Sequence, residues 1–244
     1  MNIYSVINMD IVGSRKLFNR ERIQEEIIRY FDILNFKYKD ILVAPINITL
    51  GDEWQIVLNS PEKSYSIYNE IRLYLAKKSI ITYCGIGIGS ISTAEYNSST
   101  KMDGEAFISA REALNITKNK RNKYIHSKAN RVIIRTSQSL YTFMESVSEI
   151  AVTNYSSVPT KESISSIDII NILIENNEIL FNNITDKQLE AIELYEKYGS
   201  YNKIIEAKEA NSKSSISQRL NKAEYFVFKN NAKAIGELIN KLLT

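Results

Sequence analysis

The chain has 244 residues, 44% hydrophobic and 24% charged, which is the balance of a globular protein able to bury a sizeable core. Its net charge of +3 is too small to attract nucleic acid globally, so any basic footprint has to be local. A single cysteine, Cys84, excludes an internal disulfide and a cysteine-rich zinc site, and a single histidine, His126, argues against a histidine metal cluster or a Ser-His-Asp triad. The first element in chain order is a short β-branched strand over residues 3–9, ended by Asp10 and Gly13. Ile23, Ile27, Ile28, Phe31 and Leu34 then recur at helical spacing over residues 20–36, with Asn19 as the expected N-cap. Strands over 41–50 and 54–58 flank the tight turn Gly51-Asp52-Glu53. Pro61 opens a helix to about residue 77, residues 80–91 read as a strand, 104–118 as a helix, 131–136 as a last strand and 137–150 as a helix.

The order β-α-β-β-α-β-α-β contains the βαββαβ unit of ferredoxin-like palm domains. In that topology the first strand lies antiparallel beside the third, so Asp10 at the end of one is expected to meet Asp52 at the start of the other. A polar stretch over 152–166 reads as a linker. A connecting helix over 168–181 and three helical segments over 185–198, 200–210 and 212–228 follow it, with an amphipathic tail over 232–243. The expected fold class is α+β, with a palm-like domain over 1–152, a linker and connecting helix over 153–184, and an all-α helix-turn-helix domain over 185–244. No apolar run approaches the ~20 residues of a membrane span and no signal-peptide pattern opens the chain, so a cytoplasmic protein without a membrane partner is expected.

Paired carboxylates at strand ends are the chemistry of a hard cation, because Mg²⁺ takes oxygen ligands and is content with one or two carboxylates plus substrate phosphates. Asp10 and Asp52 are the candidate ligands of Mg²⁺ (or Mn²⁺), with a backbone carbonyl near Ile11 as a third. Glu53 either joins them or faces away, since neighbours on a strand point to opposite sides. Gly13 and Ser14 offer backbone N–H groups to a nucleotide phosphate, and Arg15 a charge-assisted contact. The plainer alternative is that Asp10 caps a turn and Gly51-Asp52 is hairpin chemistry alone.

Asp103 and Arg111 straddle a helix start, where Asp103 either reads a base edge or caps the helix. Between Asn115 and Arg135 lie seven basic residues and no acid: Lys118, Lys120, Arg121, Lys123, Lys128, Arg131 and Arg135. Such a run is either a solvated face or a neutraliser of triphosphate or nucleic acid, and Lys120 and Arg121 are its candidate nucleotide contacts. Gly85, Gly87 and Gly89 alternate on one strand face, a bare face that permits close approach by a helix or a ligand, with close helix packing the favoured account. His126 reads as a surface residue; Cys84 and Trp54 read as core.

The C-terminal segments have helix-turn-helix organisation. In the third of them Ile216 and Leu220 are expected to pack inward, leaving Lys213, Ser214, Ser215, Ser217, Gln218, Arg219 and Lys222 outward for double-stranded DNA, where Gln reads adenine and Arg reads guanine or phosphate. Residues 185–210 carry four basic and six acidic groups, net −2, whereas residues 211–233 carry five basic and one acidic, net +4. A helical bundle serving dimerisation reuses the same architecture and is the alternative.

Four ordered motifs carry a family resemblance: Asp10-Ile11-Val12-Gly13-Ser14-Arg15, the turn Gly51-Asp52-Glu53-Trp54, the strand Gly85–Gly89, and Asp103-Gly104-Glu105-Ala106-Phe107 leading to Ala110-Arg111. With these the N-terminal region resembles the SatD family. More remotely it is similar to class III nucleotide cyclases and diguanylate cyclases, and this second resemblance implies metal binding by Asp10 and Asp52. Class III cyclases carry an Asn and an Arg on the helix after the Asp-Gly step; here Ile108 takes the place of that Asn and Arg111 is one position off. The leading expectation is a cytosolic regulator that binds a nucleotide and DNA. The alternatives are a metal-dependent nucleotidyl transferase or cyclase, expected as a homodimer because related cyclases share their sites between subunits, and a scaffold that kept the fold without the ligand.

Overall fold

Strand β1 (Tyr4–Ile11) is buried almost throughout and sends alternate side chains into two separate layers. A computed structural model describes the protein over residues 2–119, 126–137 and 164–243. β1 lies at the centre of a five-stranded sheet of order β2-β3-β1-β4-β5. β2 is Asn47–Leu50, β3 Glu53–Leu58, β4 Thr82–Gly89 and β5 Val132–Thr136. β1 pairs antiparallel with both β3 and β4, and β4 pairs parallel with β5. The chain is thus a mixed α+β fold, and the first strand does lie against the third.

On one face Ile7, Met9, Ile56, Leu58, Cys84, Ile86, Val132 and Ile134 form the main core under helices α1 (Arg20–Lys37) and α2 (Ser64–Ala76). The other face is covered by α3 (Glu105–Asn119), whose Ala106, Phe107 and Ala110 pack on Val6 and Val57. Gly85 and Gly87 let this helix down onto the strand. A Cβ on Gly85 would lie 2.2 Å from the Leu114 amide nitrogen, and one on Gly87 would lie 2.1 Å from the Ala106 carbonyl oxygen. The alternating glycines therefore serve close helix packing, as their spacing implied.

The helix expected as a connector is a core element. α4 (Ser166–Asn182) contributes Ile167, Ile170 and Ile174 to the main core, beside Ile235 and Ile239 of the last helix, α8 (Tyr225–Leu243). Asn171 of α4 also closes the open side of β5: its side chain accepts from the Ile134 N–H and donates to the Ile134 carbonyl, each at 2.9 Å. An edge strand otherwise presents unpaired backbone groups. Glu178 of α4 forms a buried ion pair with Arg72 of α2, and the Arg72 guanidinium stacks 3.9 Å above the Phe181 ring. Three helices complete the chain between α4 and α8: α5 (Asp186–Tyr198), α6 (Tyr201–Glu206) and α7 (Lys213–Lys222).

Other boundaries shift for local reasons. β2 is only the second half of the expected strand, because Pro45 offers no ladder donor and the Ile46 N–H turns to the Asn35 side chain at 2.7 Å. Asn19 stands at the start of α1 in a left-handed conformation and makes no side-chain capping bond, so the expected cap is not formed. The expected third C-terminal segment breaks at Ala223–Glu224, where Glu224 adopts φ 51°, and the tail is the second half of the continuous α8. The helix expected over 137–150 lies outside the described residues after Ser137, as does the linker up to residue 163.

Candidate functional site

Asp10 stands near the end of β1, directly opposite Glu53 of β3 and Tyr83 of β4. Residues opposite one another across a ladder share a face, so Glu53 joins Asp10 on the α3 side of the sheet. Asp52 sits one residue earlier, in a turn that Gly51 enters with φ +57°. The turn is sewn to β1 because the Ile11 N–H donates to the Asp52 carbonyl at 3.1 Å. Asp10 thus faces Glu53, and Asp52 in the turn faces the next residue of β1, Ile11.

Past β1 the chain turns over this end of the sheet. Gly13 adopts φ +65°, and a Cβ there would meet no atom within 4 Å, so glycine is needed for conformation and not for space. The turn buries Ser14, whose hydroxyl donates to the Asp52 carboxylate, while Arg15 and Lys16 stay exposed. On the opposite side the Gln24 amide donates to the Gly51 carbonyl, and the Arg20 guanidinium lies against the same glycine. Ile11, Ser14, Arg20, Gln24, Asp52 and Trp54 line a narrow pocket here. Trp54 itself is core, meeting Phe31 edge-on. From above, Lys118 in the last turn of α3 places its Nζ 2.6 Å from Asp10 Oδ2.

Not every expected residue reaches this place. Asp103 precedes the N-terminus of α3, whereas Lys118 meets Asp10 near its C-terminus, about 20 Å along the helix at ~1.5 Å per residue. Its carboxylate accepts from the Gly104 N–H at 2.8 Å and its carbonyl from the Ser92 N–H at 2.9 Å, so it fastens the loop that starts α3. Arg111 is exposed two turns before Lys118. Lys120, Arg121 and Lys123 lie outside the described residues. His126 is exposed, and its N–H donates to Glu175 at 2.7 Å.

Farther along the chain α5, α6 and α7 close a small core of Ala191, Ile192, Ile204, Ile216 and Leu220. Ser212 caps α7 by accepting from the Ser215 N–H. With Ile216 and Leu220 buried, Lys213, Ser214, Gln218 and Lys222 are exposed and Ser215, Ser217 and Arg219 half-buried. Arg219 reaches Glu190 at 3.9 Å.

The family model described as "SatD family" matches residues 4–239. The chain belongs to the SatD family. Among solved structures this SatD-family chain is similar to the adenylyl cyclase CyaB from P. aeruginosa, at 14% identity and a TM-score of 0.38 over 59% of this chain and 81% of that one. It is also similar to a bacterial light-regulated adenylyl cyclase, at 18% identity and a TM-score of 0.34 over 54% and 74% of the two chains. A search of curated proteins returns no match.

The side chains where β1 meets the Gly51 turn include the carboxylates of Asp10, Asp52 and Glu53, and oxygen donors are the ligand type that suits Mg²⁺ or Mn²⁺. Among the described residues no group of three or more His, Cys, Asp or Glu side chains forms a ready metal cage. Two carboxylates completed by water and substrate phosphates are the arrangement this donor set fits. Sequence reasoning missed Arg20 and Gln24 as supports of the Gly51 turn and missed Lys118 as the partner of Asp10. The available signal was that Arg20 and Gln24 are one helical turn apart on the helix that follows the Gly13–Arg15 loop.

Proposed function

We propose that this SatD-family protein is a regulator that binds a nucleotide with Mg²⁺ or Mn²⁺ at the Asp10–Asp52 end of its sheet and double-stranded DNA through α5–α7. The observation that carries the first half is the register of β1 on β3, which sets Asp10 opposite Glu53 and sews the Asp52 turn to Ile11. Asp10 and Asp52 hold the cation, with the Ile11 carbonyl as a third oxygen; the cation neutralises phosphate charge when bound. Gly13 and Ser14 offer backbone N–H groups and Arg15 its guanidinium to the phosphates, and Ser14 orients the Asp52 carboxylate. The DNA half rests on the outward row of α7 and on the net +4 of residues 211–233.

Two experiments test these halves. A fluorescent ATP or GTP analogue is expected to bind in Mg²⁺ and to be released by a chelator; binding indifferent to the chelator contradicts a metal-bridged site. In mobility shifts against fragments of its own promoter region, the pair Lys213→Ala and Arg219→Ala is expected to weaken DNA binding by about tenfold or more, with a shallower salt dependence. Unchanged binding removes α7 from the DNA interface.

A second reading, nucleotidyl transfer by a homodimer, is favoured by one observation. Ile108, Arg111 and Lys118 share a stripe of α3 at helical spacing, and Ile108 is 56% exposed, a surface on which a second copy would add groups to the site. Pyrophosphate release from an NTP with Mg²⁺ or Mn²⁺ identifies this activity; the regulator reading expects none.

A further inference from the structure

Lys118 sets a positive charge against the oxygen that a divalent cation would take. Its position follows from packing. The bare faces of Gly85 and Gly87 bring the α3 backbone into contact with β4, and the buried row Ala106, Ala110, Ala113, Leu114 and Thr117 holds it there. The last helical turn consequently hangs over the Asp10–Tyr83 pair, and a cation at a helix C-terminus is favoured by the aligned peptide dipoles. The two candidate ligands have different occupants. Asp52 accepts a neutral hydroxyl from Ser14, which can stay when a cation binds the carboxylate. Asp10 Oδ2 holds an ammonium at 2.6 Å, and a divalent ion drawn to that carboxylate meets the repulsion of this like charge.

We propose that Lys118 is a resident counter-ion of Asp10, which the incoming divalent cation displaces and whose freed ammonium then takes the nucleotide's phosphates. This rests on the reading of Asp10 and Asp52 as cation ligands. The lysine stem swings about four rotatable bonds, and the Lys118 side chain is one-third exposed, so the ammonium moves from carboxylate to phosphate without a backbone change. The displaced charge makes the bare cation a poor ligand and the cation with phosphates a good one. Cation and phosphates bind cooperatively for that reason, with Lys118 as the coupling group.

The test uses the full-length protein, Mn²⁺ followed by electron paramagnetic resonance, and inorganic tripolyphosphate as a base-free probe. Lys118→Met, which keeps the aliphatic stem, is expected to bind Mn²⁺ alone about tenfold more tightly and Mn²⁺-tripolyphosphate about tenfold more weakly than the wild type. Lys118→Arg, which keeps the charge, stays near the wild type in both, and an unchanged thermal midpoint in each variant shows that the fold is intact. If the wild type binds Mn²⁺ and Lys118→Met alters neither affinity, or alters only one, the exchange is overturned while the metal site stands. If the wild type binds no Mn²⁺ with or without tripolyphosphate, the metal site and the exchange fall together.

Discussion

Replacing Gly87 with alanine is expected to destabilise the protein by about 3 kcal/mol, read as a fall of about 1 M or more in the urea midpoint. The added methyl would meet the Ala106 carbonyl oxygen at 2.1 Å and the Ala110 amide nitrogen at 2.2 Å, both backbone atoms that no rotamer change can move aside. Relief requires lifting α3 off the sheet, which opens the cluster of Val6, Val57, Phe107 and Ala110. The same shift carries Lys118 away from Asp10. Gly13→Ala is the contrasting control: nothing lies within 4 Å, so its cost is that of a left-handed backbone for alanine, about 1 kcal/mol. Equal and small effects at the two positions would refute the packing account of the glycine row.

Glu178→Ala is expected to cost about 3–5 kcal/mol, because it strands a buried guanidinium. Glu178 and Arg72 are both buried, and the carboxylate also accepts from the Arg131 N–H at the start of β5. Burial pushes the Glu178 carboxyl up from its ordinary value, against the lowering pull of Arg72 and of that backbone N–H. Arg72 is packed against Tyr68, Phe181 and Phe228, so an uncompensated charge has no route to water. Arg72→Met together with Glu178→Leu is expected to recover most of the loss, since an apolar pair avoids desolvation. Denaturation of the single and double variants checks this, and a single variant as stable as the wild type would contradict it.

Much of the sheet and its helices was legible in local pattern. Alternating Ile and Gly in β4 declared one face for the core and one for a helix, and Ile216 and Leu220 at four-residue spacing declared the inward side of α7. The pairing of β1 with β3, which brings the Asp52 turn beside Ile11, followed from element order, since βαββαβ chains place the first strand beside the third. What stayed hidden depends on contacts between distant parts of the chain. α4 reads as a connector for its place after a polar stretch, although Asn171, Glu175, Asn177 and Glu178 break up an otherwise apolar helix. Those groups are consumed by Ile134, by the backbone at His126, by Phe228 and by Arg72, all far away in sequence. Lys118 was visible as one base in a basic run, but nothing local names the acid it pairs with. Asp103 carries the right chemistry at the wrong end of α3, a separation that helical periodicity alone does not reveal.

The central claim is most directly tested by titration calorimetry of the wild type, Asp10→Asn and Asp52→Asn with Mg²⁺ and a non-hydrolysable nucleoside triphosphate. Binding that needs both metal and nucleotide in the wild type, and falls about 100-fold in each variant while the thermal midpoint is kept, is the predicted result. Variants that bind as tightly as the wild type, or a wild type that takes up neither component, would contradict a cation site at the junction of β1 and β3.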